Sequence, residues 1–97
     1  MTITEMPPAA TDDADADTLL TRASAGDRDA FGEFYDLTAP RIHAVLLVLT
    51  RNATRSALLL EEVYVEAWEH VVARGVPRCP AWEWVSLIAR RRAVAAV

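Results

Sequence analysis

Four α-helices and no sheet is the architecture this sequence predicts, and three observations lead there. Apolar residues recur at three- and four-residue spacing through most of residues 17–97. No stretch of useful length alternates with the two-residue period of a strand. Turn chemistry collects at Gly26-Asp27, at Arg51–Thr54 and at Gly75–Pro80, which cuts the periodic part of the chain into four. The 97 residues leave room for one small domain and a tail. With 53% apolar residues a core is possible without staples, and the single cysteine, Cys79, excludes an internal disulfide or a Cys-rich zinc site.

Taken in order, residues 1–16 hold Pro7, Pro8, several alanines and the acids Asp12, Asp13 and Asp15, with almost nothing to pack. They read as a disordered acidic leader, either simply solvated or screening the basic half of the chain. The helical domain is expected over residues 17–97. Its first helix starts at the cap Asp17 and stops at Gly26, with Leu19, Leu20 and Ala23 inward. Asp27 caps a longer second helix whose apolar face is Phe31, Phe34, Tyr35, Ile42, Val45, Leu46 and Leu49. Pro40, which lacks an N–H and crowds the preceding turn, should bend it. A third helix runs from about Ser56 to about Ala73 on Leu59, Leu60, Val63, Ala67 and Val71, with Tyr64 and Trp68 at its edge. Glu62, Glu66 and Glu69 form an acidic stripe on another side. Pro80 suits the first turn of the fourth helix.

The net charge of −4 conceals an asymmetry. Residues 1–36 carry nine acids and two arginines, or −7; residues 37–97 carry five acids and eight arginines, or +3. Every basic residue is arginine, which suits planar and bidentate contacts but also follows from a GC-rich genome. The fourth segment puts Trp82 and Trp84 at a helix start and Arg90, Arg91 and Arg92 two turns on. Aromatic faces beside cations hold unstacked bases and their phosphates, so the chemistry points toward nucleic acid. No nucleophile–base pair, phosphate loop or metal set is present, so neither an enzyme nor a cofactor is expected. His43 and His70 have no ligand cluster nearby in sequence. No apolar run approaches a membrane span and no secretory signal pattern opens the chain, which predicts a cytoplasmic protein with no membrane partner.

Three segments in register, residues 25–36 (AGDRDAFGEFYD), 60–68 (LEEVYVEAW) and 81–94 (AWEWVSLIARRRAV), resemble region 2 of extracytoplasmic-function sigma factors. The resemblance covers roughly residues 17–97 and implies a four-helix domain that docks on the clamp helices of the RNA polymerase β′ subunit. It also implies capture of the melted non-template strand of the minus-ten promoter element. By that resemblance the polymerase-binding set is Leu58, Glu61, Glu62, Tyr64 and Glu66. Glu62, Val63 and Tyr64 match the family's docking motif, while Leu58 stands where Asp is usual and Glu61 where Gln is usual. The DNA-binding set is Arg78, Trp82, Trp84, Arg90, Arg91 and Arg92. Trp84 and the run from Arg91 to Val94 match the family; Arg74, Cys79 and Ala95 depart from its common aromatic, glycine and Asp.

Spacing sorts these residues further. Trp84, Leu87, Ile88 and Arg91 share one side of a helix, so Trp84 is expected in the core and Trp82 outside it, free to stack on bases. Arg91 would then snorkel and leave Arg90 and Arg92 for phosphates. The second helix-turn-helix domain of a complete factor does not fit in 97 residues. The chain is therefore expected to be a piece of a longer protein, a truncated product or a stand-alone relative. In the last case it would be an interaction module that binds polymerase or an anti-sigma factor without opening promoters.

Overall fold

The computed structural model describes residues 8–96. Four helices follow one another: α1 (Pro8–Ser24), α2 (Arg28–Thr50), α3 (Ala53–Arg74) and α4 (Ala81–Ala95). Every pair of them is in contact, so one core serves all four. Phe34, Ile42 and Leu46 of α2 meet Val63, Ala67 and Val71 of α3, Val85, Ile88 and Ala89 of α4, and Leu20 and Ala23 of α1. Phe34 and Ile42 are fully buried, in line with the sequence reading, whereas Phe31 and Trp84 lie at the edge of the core.

The turns are built as their residues dictate. Gly26, at φ 101°, closes α1 in a left-handed conformation that costs glycine nothing. The N–H groups of Gly26 and Asp27 then reach the carbonyls of Ala23 and Arg22, which is a Schellman stop. Asp27 also caps α2, accepting from the Ala30 N–H at 3.0 Å, and pairs with Arg22 at 3.0 Å. Hydrogen bonds from the Ala30 N–H and from Arg22 hold its carboxyl below the usual range. Arg51, at φ 54°, ends α2; Asn52 caps α3 by accepting from the Arg55 N–H at 2.8 Å.

Three expectations are revised. Helix α1 starts at Pro8, not at Asp17. Proline suits the first turn and alanine is the best helix former, and Ala16, fully buried, ties the extension to the core. Residues 8–16 are thus helical rather than a disordered leader; residues 1–7 of that leader lie outside the described residues. Helix α3 begins at Ala53 rather than Ser56, because Asn52 is its cap. On α2, Tyr35 and Leu49 face solvent; Thr38 and Ala39 take the inward positions instead. The helix runs through Pro40 as one element.

Candidate nucleic-acid and partner interfaces

The outer side of α3 exposes Leu58, Val65 and Val72 at seven-residue intervals, with 58%, 56% and 60% of each residue open to solvent. Glu61, Glu62 and Glu69 flank that line. Buried residues on the opposite side (Leu59, Val63, Ala67, Val71) fix the helix rotation, so the ridge is held out by the core beneath it. Tyr64 is not part of the ridge. It is buried, and its hydroxyl lies 2.6 Å from Thr38 Oγ1, which itself donates to the Phe34 carbonyl at 2.8 Å. Thr38 has one proton to give, so Tyr64 is the donor between them. Burial pushes the Tyr64 phenol well above its ordinary value, the bond to Thr38 offsetting only part of that. Tyr64 belongs to an aromatic group with Phe31, Phe34, Tyr35 and Trp68 that binds α2 to α3. The expectation that Tyr64 docks a partner is therefore corrected.

The tryptophans of α4 exchange their expected places. Trp82 is buried, on the stripe completed by Val85, Ala89 and Ala93; Trp84 is half-buried at the α3–α4 seam, its ring 5.2 Å from that of His70. Both stripes are apolar enough to face a core; of the second, Ile88 is buried but Leu87 is 58% exposed. Arg41 of α2 packs against the first stripe. Its guanidinium carbon sits 4.2 Å from the centre of the Trp82 ring, a cation–π contact that covers the indole face. Arg41, Trp82, Glu83, Ser86 and Arg90 line an open groove between α2 and α4. Arg78 stands exposed in the α3–α4 loop, on a separate depression with Cys79 and Pro80.

The three consecutive arginines divide. Arg90 is exposed on the groove and makes no ion pair among the described residues. Arg91 and Arg92 instead reach back to α3. Arg91 bonds Glu66, and Arg92 donates from Nε to Glu66 at 2.8 Å and from Nη1 to Glu62 at 2.9 Å. Burial alone would raise the Glu66 carboxyl, but the hydrogen bonds from Arg92 and Arg91 outweigh it and hold the group below the usual carboxylate range. The bond to Glu66 in turn raises Arg92. Arg91 therefore does not snorkel over the core, and Arg92 is not free.

One contact had no signal in the sequence. Asp17 of α1 accepts from the Ala81 N–H at 2.7 Å and caps α4, which has no cap of its own at Pro80. At the other end of α4, Arg55 donates to the Ala96 carbonyl at 2.6 Å. His43 Nε2 lies 3.2 Å from Ser56 Oγ, which also bonds the Ala53 carbonyl, in a polar seam between α2 and α3. Among the described residues no helix is long and apolar enough to cross a membrane.

Comparison with characterised sequences decides the family. The chain is 34% identical over 88 residues to the ECF RNA polymerase sigma factor SigK of Mycobacterium ulcerans, covering 91% of this chain and 46% of that one. It is 34% identical over 81 residues to SigK of Mycobacterium tuberculosis, covering 84% of this chain and 43% of that one. Over 81 residues it is 30% identical to SigK of Mycolicibacterium vanbaalenii, covering 84% and 41%. The chain carries an extracytoplasmic-function sigma-factor domain. This sigma domain spans about half the length of the curated relatives it matches. No family model and no solved structure matches it. Its four-helix fold is that of a region 2-like domain. Of the expected site residues, the fold gathers Leu58, Glu61 and Glu62 on one exposed face, brings Arg90 and Trp82 to a groove with Arg41, and joins Glu62 and Glu66 to Arg91 and Arg92.

Proposed function

We propose that this sigma domain acts in transcription initiation, docking on the β′ clamp helices through α3 and taking up the non-template strand of the minus-ten element through α4. The observation that carries the docking half is the exposed line Leu58, Val65 and Val72 with its flanking glutamates. Apolar residues repeating every seven positions on a solvent-facing helix match the seam of a helical partner, and acids beside the seam select a basic one. Leu58, in place of an Asp, exchanges a charged contact for an apolar one within the same line. For the DNA half the supporting feature is the Arg41–Trp82–Arg90 groove, with Arg78 exposed in the neighbouring α3–α4 loop. A base stacking there on Trp82 would have to displace Arg41, which covers that ring.

The alternative is a domain that keeps polymerase or an anti-sigma factor occupied without opening promoters. The pairing of Arg91 and Arg92 with α3 favours it, because two arginines of the expected DNA-binding set are already engaged. Fluorescence anisotropy of labelled DNA with the chain bound to polymerase core separates the two. Initiation requires the non-template strand to bind more tightly than the corresponding duplex, and Arg90→Ala to weaken it. Equal binding of strand and duplex, unaffected by Arg90→Ala, would favour the interaction module.

A further inference from the structure

The residues expected to touch polymerase and those expected to touch DNA are not independent here; they hold one another. Glu62 and Glu66 of α3 accept three hydrogen bonds from Arg91 and Arg92 of α4. We propose that this Glu62–Glu66–Arg91–Arg92 lattice is a latch that keeps both faces self-occupied in the free domain and couples polymerase docking to DNA uptake.

The inference rests on the function proposed above and adds its regulation. A basic group of the polymerase that approaches Glu62 competes with Arg92 for the same carboxylate oxygen. Once Glu62 and Glu66 turn outward, Arg91 and Arg92 lose their partners and are available to phosphates beside Arg90. The reverse also holds: phosphates that draw off the arginines leave the carboxylates free for polymerase, as any coupling between two sites must be reciprocal. The latch is poised to open. The side chains of Arg91 and Glu62 are 60% and 54% exposed, so water shares those contacts, whereas Arg92 and Glu66, at 32% and 28%, form its firmer centre. Exposed ion pairs contribute little each, which suits a contact that must exchange partners.

The test uses the free chain and a fluorescent single-stranded oligonucleotide, titrated at several salt concentrations. The double variant Glu62→Gln/Glu66→Gln removes the latch and two negative charges. The control Glu33→Gln/Asp36→Asn removes two charges from exposed positions on α2 that pair with no arginine among the described residues. The latch predicts that the double variant binds the strand about fivefold tighter, as expected for three weak ion-paired contacts. Its log affinity should fall more steeply with log salt, by about 0.7 for each freed arginine. The control should stay close to wild type above about 0.1 M salt, where distant charges are screened. Should the double variant melt, Glu66→Gln alone, which removes the bonds to both arginines, goes through the same assay. Equal gains in double variant and control overturn the latch and leave the DNA reading intact. If no form binds the strand, even with polymerase core present, the latch and the proposed function both fail.

Discussion

At the residue scale the fold depends on a few side chains with no substitute. Phe34 is fully buried where α2 meets α3, so Phe34→Ala should cost about 3–5 kcal/mol. Urea denaturation checks this, and a loss below about 1 kcal/mol would place Phe34 outside the core. Asp17 supplies the only side-chain cap at the start of α4 among the described residues, and Asp17→Ala should cost about 1 kcal/mol, with Asp17→Asn keeping most of the stability. An Asp17→Ala chain as stable as wild type would show that Pro80 starts the helix unaided. Asp27 was readable from sequence because its partner, the Ala30 N–H, lies on the next turn. Asp17 was not, because the helix it caps lies 64 residues away. The same distinction explains the tryptophans. Trp82 and Trp84 head two apolar stripes of one helix, and which ring turns inward depends on contacts with other helices, among them Arg41 of α2 over Trp82.

Helices α2 to α4 follow from their apolar spacing and turn residues to within a few positions, since these are local properties. The start of α1 did not follow, because an alanine-rich acidic stretch orders only when a neighbour buries a residue such as Ala16. The ion pairs between α3 and α4 were hidden for the same reason: residues 62 and 66 meet 91 and 92 only after α4 folds back. Those pairs make an acid-sensitive contact. Glu66 has its folded pKa depressed below its unfolded value, so its contribution is present above the ordinary carboxylate pKa and is lost as pH falls through the lower folded one. Glu66→Gln should therefore be less stable than wild type at pH 7, and its urea midpoint should fall less between pH 5 and pH 3. Equally steep acid losses in both proteins would mean that Glu66 carries none of the pH dependence; Asp27, depressed by its own bonds, contributes in the same direction in either protein.

On the scale of the whole molecule the four helices place an acidic, heptad-spaced ridge on α3 and an arginine-lined groove between α2 and α4 on one small core. The family was legible from three motifs in register, and the exposed acids of α3 from their spacing; the partition of the arginines was not. If Arg41, Arg78 and Arg90 each neutralise one phosphate, log affinity for a single strand in the polymerase-bound state should fall against log salt with a slope of about −2. A slope near zero would remove phosphate contacts from the account. The claim on which the rest depends is that α3 is the polymerase-docking helix, and the most direct measurement of it uses the single cysteine. Cys79, partly exposed in the α3–α4 loop, takes a fluorophore away from the ridge, and its anisotropy is followed as polymerase core is added. Wild type and Glu33→Gln, an exposed acid on α2 away from the ridge, should both show the rise of a large complex forming. Glu62→Arg, with helicity unchanged, should show none at the same concentrations; if it binds as wild type does, the docking face assigned to α3 is wrong.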